Sequence, residues 1–279
     1  MDRFINNFEV SYDKEALRGV CNSILEYFLK NRLDKNKAVF LEIFQNIKII
    51  FGEEELINYL DSIGADEKIR DSFFHINLKG SSGFAPLMIK NTLYPLIYFL
   101  DSNLDSSNLK PDRITLPDIF IEEISHCVFF LNQILLNQKS PHKVFTELIA
   151  VLDKQFYYLV NSSNEDEFLS AIKRVDSVKD SLIEILGKEE EEHYYFAYKW
   201  GILLFEFLVF LQKEKKYELK NAIFAFFYHY DDSFRINFLL FDFPKIAIES
   251  GFSINLKEAF LDTENPQEFL AFKRIMNEI

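Results

Sequence analysis

The sequence predicts an all-α protein, a multi-helix globular bundle of about ten helices with at most one or two short strands. Three observations carry that expectation. Apolar residues recur at steps of three and four along most of the chain, which places them on one face of a helix. Turn formers are sparse, with 8 Gly and 7 Pro in 279 residues, well below the average usage of about 7% and about 5%. Hydrophobic residues make up 48% of the chain and Phe alone contributes 31, enough apolar surface to cover many helix faces in a common core.

Taken in order, Leu17, Val20, Ile24 and Phe28 form the first helical stripe, and Phe40, Phe44 and Ile47 repeat it. Lys79-Gly80-Ser81-Ser82-Gly83 reads as a turn between helices. Residues 101–113 are rich in Ser, Asn and Asp and mark the best boundary. The chain is therefore expected to be a single helical unit, 1–279, or two packed halves, 1–100 and 114–279, joined by a 101–113 linker. Arg113 to Leu116 reads as a short strand leading into a helix with Phe120, Ile124, Cys127, Leu131 and Ile134 on one stripe. A further stripe runs from Phe168 through Ala171, Ile172, Val175, Val178 and Leu182 to Ile185. It starts after the polar cluster Asn161 to Asn164, suited to an N-cap, and stops at Gly187. Trp200 to Leu211 reads as a buried core helix, too short for a bilayer that needs about 20 residues. Arg235 to Phe241 is the other strand candidate. Asn265 caps a last helix that has Pro266 at its first position and Glu268 at its third.

Charge narrows the partners. Lys and Arg total 31 against 44 Asp and Glu, a net charge of −13, which argues against nucleic acid because phosphate binding needs clustered cations. No stretch favours membrane insertion, and Met1 to Asn7 lacks the features of a signal peptide, so the cytoplasm is the expected location. Cys21 and Cys127 do not form a Cys-x-x-Cys pair, and Cys127 falls on the apolar stripe as a buried, inert thiol.

Chemistry concentrates on the histidines. Glu123-Ile124-Ser125-His126 and Glu190-Glu191-Glu192-His193 are both Glu-x-x-His patterns, which put a carboxylate and an imidazole on one helix face. Helical di-iron proteins use two such patterns plus a lone Glu from each of two other helices, roles that Glu147 and Glu206 can fill. The segment from Ile114 to His126 suggests a second arrangement, a short strand and then a helix bearing Glu122-Glu123-x-x-His126. It is similar to the active-site helix of zinc metallopeptidases of the gluzincin type, whose pattern is His-Glu-x-x-His followed by a downstream Glu. That resemblance implies His126 and Glu147 as zinc ligands and Glu123 as the general base. Position 122, where the first histidine belongs, holds Glu122 instead, a carboxylate that can ligate zinc with a different charge and reach. Without a metal, His126 would simply pair with Glu122 or Glu123 on the helix surface. No Gly-x-Ser-x-Gly elbow, catalytic-cysteine signature or Walker A motif occurs.

Aromatic residues supply the remaining signal. Tyr194 to Trp200 and Phe224 to Tyr230 are apolar nearly all round a helix, and Tyr and Trp suit interfaces. The leading expectation is a cytoplasmic binding module whose aromatic helical groove takes a protein or small-molecule partner. A zinc-dependent hydrolase built on Glu122, Glu123, His126 and Glu147 competes with it, and a di-iron protein comes third. Zinc requires His126 and Glu147 to converge, whereas the di-iron arrangement requires His126 to approach His193.

Overall fold

The computed structural model describes residues 14–31, 46–71, 82–99, 116–135, 139–161, 182, 184, 186–189, 191–253 and 265–279. It corrects the all-α expectation. The protein is mostly helical, but it also contains a three-stranded mixed sheet. The chain divides into two compact units, Met1–Cys127 and Val128–Ile279. The 101–113 linker lies outside the described residues.

In the first unit, α1 (Lys14–Asn31) is followed by β1 (Lys48–Phe51), α2 (Glu53–Ser62), β2 (Ser82–Ile89) and β3 (Thr92–Phe99). The strand order is β1-β3-β2. β1 runs parallel to β3 with Lys48 opposite Leu96, while β2 and β3 form an antiparallel hairpin with Ser82 opposite Phe99. The hairpin turns on Lys90 and Asn91, at φ 48° and 65°, the left-handed pair that a tight two-residue hairpin demands. Gly83 therefore sits in a strand and not in a turn between helices, and residues 79–81 lie outside the described part. It stands opposite Tyr98, and a Cβ there would come within 2.6 Å of the Tyr98 hydroxyl oxygen. Only glycine lets that ring lie across the neighbouring strand. Ile50, Leu56, Leu60, Ala85, Ile89, Leu96 and Tyr98 pack together as the core between sheet and α2. Three acidic residues open α2, Glu53, Glu54 and Glu55, where the helix dipole favours them.

The next helix, α3 (Leu116–Leu135), is continuous through the boundary at Cys127. Phe120, Ile124, Cys127 and Leu131 are buried, as the stripe predicts. The Phe120 ring lies 6.0 Å from that of Phe99, which itself stacks on Phe51 at 5.4 Å. Of the strand expected at 113–116, residues 113–115 lie outside the described part and Leu116 opens the helix.

The second unit holds α4 (Lys143–Asn161), α5 (Glu192–Lys213), α6 (Tyr217–His229), α7 (Asp232–Asn237), a π-helical turn (Phe238–Asp242), α8 (Phe243–Glu249) and α9 (Pro266–Glu278). α4 and α5 approach closely at Gly201, where a Cβ would lie 2.8 Å from a Val151 methyl and 3.3 Å from the Leu148 carbonyl oxygen. α5 spans 22 residues and is long and apolar enough to cross a membrane, with 72% of its most apolar window buried inside the protein. Tyr195, Phe196, Tyr198 and Trp200 are core residues there, so this aromatic segment does not line an open groove. α9 lies along α5 through paired charges: Lys199 Nζ donates to Glu268 at 2.6 Å, Tyr195 donates to Glu268 at 2.8 Å, and Arg274 grips Glu192. Asn265 caps α9 by accepting from the Gln267 and Glu268 N–H groups, with Pro266 at the first position, as expected.

The strand expected at Arg235 to Phe241 is a helix. Asp231 accepts from the Phe234 N–H at 3.1 Å and starts it. The buried residues Arg235, Leu239, Phe243 and Ala247 recur every four positions, a longer repeat than the 3.6 of an α-helix. The wider π turn absorbs the difference and keeps one face on the core. The stripe from 168 to 181 lies outside the described residues, and Gly187 turns the chain at φ 101° before α5.

Candidate metal centre

Two helices carry the candidate ligands. On α3, Glu122 and His126 are one turn apart and share a face. The face is fixed by the buried stripe through Phe120, Ile124 and Cys127, which can pack inward only if Glu122 and His126 turn elsewhere. On α4, Glu147 is flanked by the buried residues Val144, Phe145, Leu148, Ile149 and Ala150, which set the rotation of that helix. The start of α4 is anchored at His142. Its N–H donates to Asp232 at 2.6 Å, its Nδ1 accepts from the Val144 N–H at 3.2 Å, and its Nε2 meets Glu278 at 2.9 Å. His142 is therefore engaged in positioning α4.

Glu122 and His126 on α3 are half-buried, and so, on α4, is Glu147. The donor set fits a cation. Two carboxylates bring two negative charges, a neutral imidazole brings nitrogen, and partial exposure leaves room for water on the ion.

Glu123 is half-buried and projects about 100° around α3 from Glu122. It stands near Tyr98 of the sheet. Burial, and next the charge of Glu123, raise the Tyr98 phenol above its ordinary value, so it stays protonated. Neighbouring Cys127 is fully buried, and burial pushes its thiol up. A protonated, inaccessible thiol is a poor nucleophile and a poor metal ligand.

The second Glu-x-x-His pattern is not assembled into such a site among the described residues. Glu190 lies outside them. His193 is in the first turn of α5 with its ring 4.1 Å from that of Tyr194. Glu206 is exposed on the same helix. Neither joins a group of three potential ligands among the described residues. His75 lies outside the described residues, as does the side chain of His229.

The neighbourhood of Tyr98 escaped the sequence reading because the strand that carries it did. The buried trio Tyr195, Lys199 and Glu268 escaped as well. Only the seven-residue spacing of Glu192 from Lys199 and its near match, six residues, between Glu268 and Arg274 hinted at paired helices of opposite charge order. Comparison with protein-family models, curated proteins and solved structures finds no match to the chain.

Proposed function

We propose that the protein is a divalent-metal-dependent hydrolase whose ion is held by Glu122, His126 and Glu147. The pairing of half-buried Glu122 and His126 one turn apart on α3, with Glu123 beside them in the sequence, carries the reading. These residues would hold a divalent ion, which would supply a Lewis acid and a more acidic water, of pKa about 7 in zinc enzymes. Glu123, adjacent on α3, is the residue suited to take up the proton, as the gluzincin resemblance implies. Tyr98 is a protonated neighbour of Glu123. Metal analysis of protein purified without chelator tests the reading. About one ion per chain is expected, lost in His126→Ala and in Glu147→Gln. Glu123→Gln should keep the ion and lose hydrolysis of quenched fluorescent peptides by about 100-fold or more. Trace metal in the wild type, or full loading of His126→Ala, removes the reading.

A second reading, the protein-binding module, is supported by a different surface. Phe234, Phe241 and Ile248 are 55%, 68% and 56% exposed and recur every seven residues along α7, the π turn and α8. Exposed Asp242 and Glu249 directly follow Phe241 and Ile248, and exposed Asp231 lies three residues before Phe234, so the partner that fits is a basic amphipathic helix. A labelled Leu/Lys heptad peptide should bind the wild type, and about tenfold more weakly to a Phe234→Ser, Phe241→Ser variant. Equal binding to both, or equal binding of a Leu/Glu peptide, would sink it.

A further inference from the structure

We infer that the exposed rings of Tyr230 and Phe234, with the free oxygen of Asp231, form a corner that takes a lysine ammonium group of a peptide partner. This rests on the docking strip of Phe234, Phe241 and Ile248 and names the group received at its acidic end. The corner lies wholly within the second unit, where α6 ends and α7 begins. Its rings are held from behind. Phe238 is buried, the Phe226 ring lies 4.8 Å from it, and Tyr230 stacks on Phe226 at 4.6 Å. Phe234 meets Tyr230 at 5.7 Å with 61° between the ring planes. Tyr230 and Phe234 are 46% and 55% exposed, so aromatic surface from both rings, set at a steep angle, is open to water. A ring face attracts a cation within about 6 Å of its centroid. Rings already fixed by packing lose little freedom on binding.

The carboxylates set the sign. Asp232 uses both oxygens inside the protein, Oδ1 for Arg235 and Oδ2 for the His142 N–H, each at 2.6 Å. Asp231 uses one, its Oδ1 accepting from the Phe234 N–H at 3.1 Å. Its Oδ2 makes no hydrogen bond among the described residues. Asp231 is exposed, and two carboxylates against the single Arg235 guanidinium leave one negative charge at the corner. In the first turn of a helix the Phe234 side chain leans toward the N-terminal end, which is where the Asp231 carboxylate sits. A guanidinium needs two acceptor oxygens for its fork, whereas an ammonium is a compact charge that one oxygen serves. Lysine is therefore the occupant, with its ammonium on Asp231 and its alkyl stem along the rings.

Fluorescence anisotropy of the full chain with labelled Leu/Lys heptad peptides, each acetylated at one lysine, tests this. In the wild type one position should stand out, with acetylation there weakening binding about fivefold. Tyr230→Leu keeps the apolar bulk and removes the π face. Asp231→Asn removes the charge and keeps the helix cap, because Asn caps a helix as well as Asp does. Each should shrink that penalty to less than about twofold, with folding checked by circular dichroism. Phe241→Ser should instead weaken every peptide alike and leave the penalty intact. A wild type in which no single acetylation matters, or an unchanged penalty in either folded variant, overturns the inference and leaves the docking strip standing. No binding of the unacetylated peptide by the wild type overturns both.

Discussion

Glu192 shows how a single buried carboxylate is kept ionised. It is 1% exposed, and burial alone would push its pKa up. Hydrogen bonds from Arg274 and the Gly187 N–H, together with the Arg274 charge, outweigh that and hold it below the ordinary value of 4.5. A carboxyl whose folded pKa is depressed adds stability that is fully present above its unfolded pKa. That stability is lost as pH falls through the folded value. The contribution of Glu192 should therefore be complete above about pH 4.5 and drain away at lower pH. Urea midpoints measured across that range should fall less steeply in Glu192→Gln. At neutral pH the same substitution should cost about 1.5 to 3 kcal/mol, the range for hydrogen bonds to a charged group. A variant with the wild-type slope would show that other carboxylates govern the acid limb.

At the scale of elements, the legible helices were those with an ordinary period and a marked end. Asn265 with Pro266 and Glu268 announces α9 because capping chemistry is local. The stripe through Phe120, Ile124, Cys127 and Leu131 announces the buried face of α3 and, by exclusion, the Glu122 and His126 face. The sheet was hidden for physical reasons. β3 is buried at each of its last five positions, and a strand buried on both faces loses the alternation that distinguishes it from a helix. Its turn, Lys90-Asn91, lacks the glycine that usually signals a hairpin. Pro86 and Pro95 interrupt both strands, yet they stand opposite each other, which confines the two missing donors to one rung. The helix at α7 and α8 was hidden differently. Its four-residue repeat matches neither template until a π turn is allowed. Glu122, His126 and Glu147 could be named from spacing within and between helices, but nothing local revealed that Tyr98 stands beside Glu123.

For the whole molecule, the two cysteines test whether the core is as closed as its aromatic content suggests. Cys21 lies in α1 and Cys127 in α3, both 0% exposed, and neither forms a disulfide. Burial raises both thiols, Cys21 to about 12. Reaction with a disulfide reagent needs thiolate and access, and at pH 8 the native protein offers neither. Reactivity must then wait for an opening that exposes the helix concerned, so the labelling rate measures the free energy of that opening. Both thiols should resist the reagent under native conditions and react promptly in denaturant. Mass spectrometry of peptides labelled at rising urea then separates the two sites. Cys127 carries a further consequence, because it is one residue from His126. If the centre binds an ion as proposed, saturating manganese(II) should slow labelling at Cys127 by stabilising the closed state, by an amount that grows with ion concentration over its dissociation constant. His126→Ala should abolish the effect. Rapid labelling of either native thiol would contradict the burial described here, and equal slowing in His126→Ala would assign the protection to binding elsewhere.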